Sequence, residues 1–138
     1  MGTRWGPLTL GGVHHIELWV PDLAGSEPGW SWLLTELGWQ PYQRWPAGRS
    51  WRHGDTYLVL EQSPALTADV HDRCAPGLNH LALHAGPRRR VDELVAAAPD
   101  HGWSLLFADR HPYAGGPDTY AGYLTDRYGY EVELVADE

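Results

Sequence analysis

The sequence predicts an α+β fold made of two tandem β-α-β-β-β modules, and three observations carry that prediction. Val13-His14-His15-Ile16-Glu17-Leu18-Trp19-Val20 has the two-residue period of a strand. It sends His15, Glu17 and Trp19 to one face and His14, Ile16, Leu18 and Val20 to the other. The pattern returns as Leu78-Asn79-His80-Leu81-Ala82-Leu83-His84, where His80, Ala82 and His84 share a face opposite Leu81 and Leu83. Each strand is then followed by an apolar stripe at helical spacing and a Gly-Trp pair. His15 stands 23 positions before Gly38, and His80 stands 22 before Gly102, so the register of the repeat holds.

Taken in order, the first module spans 10–62. After its opening strand, Ser26 is a candidate helix N-cap and Pro28 suits a first turn. Trp30, Leu33, Leu34 and Leu37 fall at i, i+3, i+4 and i+7, and Gly38 sits where a C-terminal cap belongs. Trp39 to Trp45 reads as a strand interrupted by Pro41, and Pro46-Ala47-Gly48 as a turn. Ser50 to His53, the turn Gly54-Asp55, and Thr56 to Glu61 form a hairpin.

Residues 63–76 are the connector, with a short helical turn expected over Ala68 to Asp72. The second module, 77–136, repeats the plan. Gly86-Pro87 opens a helix with Val91, Leu94, Val95 and Ala98 on its stripe. Trp103 to Asp109 and Thr119 to Thr125 are strands, separated by the glycine- and proline-rich loop Arg110 to Asp118, a candidate lid. The turn Asp126-Arg127-Tyr128-Gly129 leads to a last strand, Tyr130 to Val135.

Bulk properties remove several function classes. A chain of 138 residues is one domain's worth. No apolar run approaches bilayer length, and Met1 to Pro7 lacks the apolar core of a signal peptide, so a soluble cytoplasmic protein is expected. The net charge of -8 opposes a nucleic-acid partner. Arg88-Arg89-Arg90, the one basic run, reads as a solvated first helical turn. No lysine occurs, which excludes Schiff-base and P-loop chemistry. The single cysteine, Cys74, excludes an intrachain disulfide and a cysteine-based zinc cluster.

Strand parity points to a site. Val132 and Leu134 belong toward the helix, which turns Glu131 and Glu133 the other way, and Leu58 and Leu60 oppose Tyr57, Val59 and Glu61 likewise. His15, Glu61, His80 and Glu133 can therefore face one cleft. Two imidazoles and two carboxylates suit a divalent metal such as zinc, nickel, cobalt, iron or manganese, with positions left for water or substrate. Glu17 and His84 share that face and could carry protons or line the cleft. Trp19, Arg52 and Tyr120 are further candidate substrate contacts; Arg52 could pair with an anion. Tyr120 and Tyr123 fall on opposite faces of one strand, so at most one reaches substrate. Taken singly, a histidine or glutamate on a strand is more often a hydrogen-bonded or solvated residue than a ligand.

These residues resemble the vicinal oxygen chelate superfamily, which includes glyoxalase I, fosfomycin-resistance proteins, extradiol dioxygenases and bleomycin-resistance proteins. The resemblance rests on His15 to Asp22, Leu37-Gly38, Leu60-Glu61, Leu78 to Leu83 and Asp126 to Leu134. It departs at Asp126-Arg127-Tyr128-Gly129, where the family's usual turn is Asp-Pro-Asp-Gly. It implies a curved mixed sheet around a metal, with His15, Glu61, His80 and Glu133 as ligands.

A glyoxalase-type reading makes one divalent metal a Lewis acid that chelates adjacent oxygens of a small-molecule substrate and stabilises an enediolate-like intermediate, with Glu133 or Glu61 moving the proton. The resemblance also implies two alternatives. A dioxygenase or antibiotic thiol transferase would use two histidines and one glutamate, His15, His80 and Glu133. A metal-free drug-binding protein would suit a cationic planar ligand. By the same analogy a homodimer is expected.

Overall fold

The structure, a computed structural model, describes residues 10–138; Met1 to Pro7, read above for a leader segment, lie outside them. By internal packing the chain divides into two compact units, Met1–Thr67 and Ala68–Glu138. Among the described residues no helix is long and apolar enough to cross a membrane.

The first unit runs β1 (His15–Trp19), α1 (Leu23–Glu36), β2 (Gln40–Trp45), β3 (Gly48–His53) and β4 (Thr56–Glu61). Its sheet has the order β1-β4-β3-β2, with β1 parallel to β4 and the other pairs antiparallel. Leu18, Val20, Leu58 and Leu60 are buried on the sheet, and Leu23, Trp30, Leu33 and Leu34 on the helix, which packs against β2, β3 and β4. The parity and the helical stripe read from the sequence thus define one apolar core.

The second unit runs β5 (Leu81–Gly86), α2 (Arg88–Ala97), a 3-10 turn (Ala98–His101), β6 (Trp103–Leu106), β7 (Ala121–Asp126) and β8 (Glu131–Ala136). Its order, β5-β8-β7-β6 with β5 parallel to β8, repeats that of the first. Val91, Leu94 and Ala98 meet a core that contains Trp103, Leu124, Val132 and Leu134, all fully or almost fully buried. The result is an α+β fold of two four-stranded mixed sheets, each with one principal helix.

Several elements differ from the sequence reading, and four of the differences have a local reason. Helix α1 starts at Leu23 rather than near Ser26, because the Gln62 side chain accepts the Leu23 amide at 2.8 Å and fixes the chain there. Pro28 then lies inside the helix, and the Ser26 hydroxyl is buried without a hydrogen-bond partner.

Strand β5 starts at Leu81 rather than Leu78. The Leu78 carbonyl meets His71 Nε2 at 2.8 Å, and Asn79 Nδ2 donates to the Arg73 carbonyl at 3.0 Å, so the connector takes what the sheet would have used. No helical turn forms over 68–72. His71 is instead pinned by its amide to the Tyr128 carbonyl and by stacking on Tyr130, 4.4 Å between centroids and 3° between planes. Strand β6 ends at Leu106, because Phe107 takes a left-handed conformation, φ 56°.

Candidate functional site

In the second unit the parity argument puts Glu133 and Glu131 on the face away from the helix, and both are nearly buried, at 8% and 3% exposure. Ala82 pairs with Glu133 in register, so His80 stands two residues earlier along the neighbouring strand direction. His80 Nε2 lies 3.1 Å from Glu133 Oε1.

The other ring nitrogen is already engaged. Asn79 commits its Nδ2 to the Arg73 carbonyl, which turns its Oδ1 toward His80, and that oxygen takes His80 Nδ1–H at 2.7 Å. In the neutral ring this tautomer leaves a lone pair on Nε2, aimed at a carboxylate oxygen. Such a contact needs a positive centre: a proton on the ring, or a cation held by both groups.

Around this pair the supports are continuous. Tyr123, which faces Glu133 across β7 and β8, donates its hydroxyl to that carboxylate. Burial, and next the Glu133 charge, push its pKa up to about 12, so it stays a donor. Gly115 of the loop between β6 and β7 lies directly above. A Cβ there would stand 2.6 Å from Tyr123 Oη and 3.6 Å from Glu133 Oε2, so a larger residue would have to push the Tyr123 hydroxyl aside. Arg73 Nη1 meets Glu131 Oε1 at 2.9 Å and compensates the more deeply buried carboxylate.

The first unit is built differently. His15 pairs in register with Tyr57 and stacks on it, 4.8 Å and 7°. Its Nδ1 is 2.8 Å from His14 Nδ1. Glu61, however, pairs with Trp19, four positions along β1 from His15. At roughly 3.3 Å per residue that is about 13 Å of strand. The position matching Glu133 in this register is Val59, which is buried. Glu17 accepts from Trp19 Nε1 at 2.7 Å, so the two candidates bond each other. Arg52 shares a row with Tyr57 and His15.

His84 is exposed, 3.4 Å from Asp137. Tyr120 lies toward α2: its hydroxyl donates to Asp92 at 2.5 Å and its ring meets Arg88. The tyrosine that reaches the carboxylates is therefore Tyr123. Among the described residues no three His, Cys, Asp or Glu groups form a metal-holding cluster, so His80 and Glu133 stand as a pair.

The family model of the glyoxalase/bleomycin resistance protein/dioxygenase superfamily matches residues 14–123. The chain belongs to that superfamily. It is 45% identical to the uncharacterized protein YqjT of Bacillus subtilis (strain 168) over 126 residues, 90% of this chain and 98% of that protein. A crystal structure of a candidate glyoxalase from Bacillus halodurans is 44% identical, with a TM-score of 0.87 over 92% of this chain and 96% of the other. The fosfomycin resistance protein FosX from Listeria monocytogenes, determined with Mn(II) and sulfate, is alike in fold at 16% identity. Its TM-score is 0.63 over 94% of this chain and 93% of the other.

Within this member of the superfamily, sequence reasoning missed Asn79 and Arg73 as site neighbours, put Glu131 on the right face without a role, and named Tyr120 rather than Tyr123 as the substrate contact. Asn79 stood next to His80 and was visible. Tyr123 needed the register of β7 on β8, and Arg73 sits in a connector without periodicity.

Proposed function

We propose that this protein is a small metal-dependent enzyme acting on a substrate with adjacent oxygens, and that His80 and Glu133 are two of the metal ligands. One observation carries the reading: a His80 ring oriented by Asn79 at its Nδ1, with its Nε2 held 3.1 Å from a carboxylate oxygen. A histidine nitrogen and a carboxylate oxygen this close could be held by one divalent metal, so the donor set fits. A histidine oriented through its second nitrogen is also what a metal ligand requires. The Mn(II) in FosX supports the choice of a divalent ion.

Bound there, a divalent metal supplies Lewis-acid polarisation of a substrate oxygen. The residues of the chain do the rest. Asn79 holds the His80 ring, and Tyr123 holds one face of Glu133. Glu133 can accept or return a proton at the atom it exposes, and the backbone at Gly115 lies against Tyr123 and Glu133.

The register of the first module speaks against Glu61 as a ligand. Val59 stands where a second glutamate would be, and His15 is the residue equivalent to His80. Fewer carboxylate ligands leave more positions open for substrate and suit oxygen chemistry or group transfer as well as isomerisation.

The test is metal content by elemental mass spectrometry on protein purified without a histidine tag or chelator. About one metal per chain is expected, lost in His80→Ala and in Glu133→Gln and retained in Glu61→Gln. Retention of full metal by His80→Ala and Glu133→Gln would reject the proposal. Iron in the native protein would favour the dioxygenase branch, and zinc, nickel or manganese the isomerase or transferase branches.

A further inference from the structure

We propose that Arg73 is a positioning residue of the candidate metal site: anchored on Glu131, it holds the carbonyl that sets the Asn79 amide and, through that amide, the His80 ring. This role rests on His80 and Glu133 being ligands, as proposed above, and it names what keeps them aligned.

The contacts form a closed circuit. Asn79 Nδ2 donates to the Arg73 carbonyl at 3.0 Å, and Asn79 Oδ1 meets His80 Nδ1 at 2.7 Å. His80 Nε2 lies 3.1 Å from Glu133, which accepts from the Tyr123 hydroxyl. The Tyr123 ring packs edge-on with Phe107, 5.5 Å between centroids, and the Arg73 guanidinium lies 5.7 Å from the centre of that same Phe107 ring. Both arms of the site therefore end on one residue, six positions before Asn79 in the connector.

The circuit matters because an amide can be turned round. An asparagine side chain accepts at its oxygen and donates at its nitrogen, and an imidazole nitrogen can play either part. With Nδ2 given to a carbonyl, Asn79 offers His80 its acceptor, and the contact is made with a proton on Nδ1. Once the carbonyl withdraws, Asn79 can reverse and donate to Nδ1 instead. In the neutral ring the proton then sits on Nε2 and bonds Glu133, and the two ligands occupy each other. The Arg73 carbonyl selects against that self-paired state.

What holds the carbonyl is an ion pair. Arg73 Nη1 lies 2.9 Å from Glu131 Oε1, on a side chain only 2% exposed, and Glu131 stands two positions from Glu133 in β8. A carboxylate buried this deeply keeps its counter-charge in place, because parting would leave a charge unpaired in the interior. The segment is pinned at its start as well, where the His71 amide donates to the Tyr128 carbonyl and His71 Nε2 meets the Leu78 carbonyl, each at 2.8 Å. Between His71 and Leu78, the Arg73 side chain ties the connector to the strand that carries Glu133.

Electrostatics by itself predicts the opposite sign. Removing a guanidinium from beside two carboxylates should strengthen cation binding; losing the alignment should weaken it.

The experiment compares the full wild-type chain, freed of metal, with Arg73→Ala and with the double variant Arg73→Ala/Glu131→Gln. The double variant leaves the net charge unchanged and no buried charge unpaired, so it decides if Arg73→Ala fails to fold by circular dichroism. Zinc affinity is measured by competition with a chelator, and the position of the His80 ring proton by long-range nitrogen–proton NMR of the zinc-free protein at a pH where the ring is neutral. The wild type should carry that proton on Nδ1. Both variants should move it toward Nε2 and bind zinc at least roughly tenfold more weakly, the scale of losing an orienting partner. Arg110→Ala is the control, since its guanidinium also lies over Phe107, at 4.9 Å, and its zinc affinity should not fall.

Unchanged or tighter zinc binding in a folded variant, a ring proton placed alike in wild type and variants, or an equal loss in Arg110→Ala would each overturn the role of Arg73 while leaving the ligands in place. A wild type that binds no zinc, nickel, iron or manganese would reject the metal reading instead, and the ring-proton measurement would then decide on Arg73 alone.

Discussion

Alanine at Gly129 should cost the second unit about 3 kcal/mol, and the figure can be assembled from its surroundings. Gly129 closes the turn between β7 and β8 at φ +93°, and a Cβ there would stand 2.1 Å from the His71 carbonyl oxygen and 3.1 Å from its carbon. The left-handed conformation alone costs an L residue about 1 kcal/mol. The obstructing oxygen is backbone, so it withdraws only by carrying the connector off the turn. That movement breaks the His71 amide bond to the Tyr128 carbonyl and the stack of His71 on Tyr130, at about 1 kcal/mol each.

The sum corresponds to a fall in Tm of about 10 °C for a chain of this size. Gly102→Ala is the matched control. Its φ is +85°, but nothing lies within 4 Å of the added carbon, so it should lose only the conformational part, about 1 kcal/mol. Urea unfolding followed by circular dichroism measures both variants. Equal losses would refute the reasoning, because the clash with the connector would then carry no cost.

Further predictions follow from the same unit. Asn79→Ala should fold normally and bind metal about 10- to 100-fold more weakly, as measured by competition with a chelator, because the His80 ring loses its orienting partner. Gly115→Ala should displace Tyr123 from Glu133 or lift the loop, and either outcome should show as a shift of the Tyr123 ring resonances with little change in those of Tyr120. Arg73→Ala should destabilise the fold by about 3 kcal/mol in urea, because Glu131 would keep a buried charge without a partner.

Stability should fall as pH rises above 10. Burial first and then acidic neighbours raise Tyr123 to about 12, burial raises Tyr130, and the hydrogen bond to Asp92 raises Tyr120. The unfolded chain therefore releases these protons before the folded one. The folded state's advantage is complete below pH 10 and is lost as the pH climbs through the raised values. Tyr123→Phe should flatten part of that slope in denaturation midpoints measured from pH 9 to 12.

The repeat and the core faces were legible because each rests on periodicity read along a segment. Leu18, Leu58, Leu60, Val132 and Leu134 all fell where alternation placed them. What alternation cannot supply is register between segments. Glu61 and Glu133 both lie on the polar face of the last strand of a module, yet Glu133 pairs two positions from His80 and Glu61 four from His15. Choosing between Tyr120 and Tyr123 failed for the same reason, since parity separated them without saying which face β8 presents. The late start of β5 was hidden too, because the bonds that hold Leu78 and Asn79 come from a connector whose sequence shows no period.

The parallel closure of each sheet has a kinetic meaning. Glu133 reaches its place through the β7–β8 hairpin, a contact between near neighbours in sequence. His80 can join it only when the opening strand of the module docks against the last. Loop-closure entropy makes that docking the slower event. His80 and Glu133 thus meet at the step that completes the module, and an ion that bridged them would act as a latch on a finished fold rather than as a seed for it.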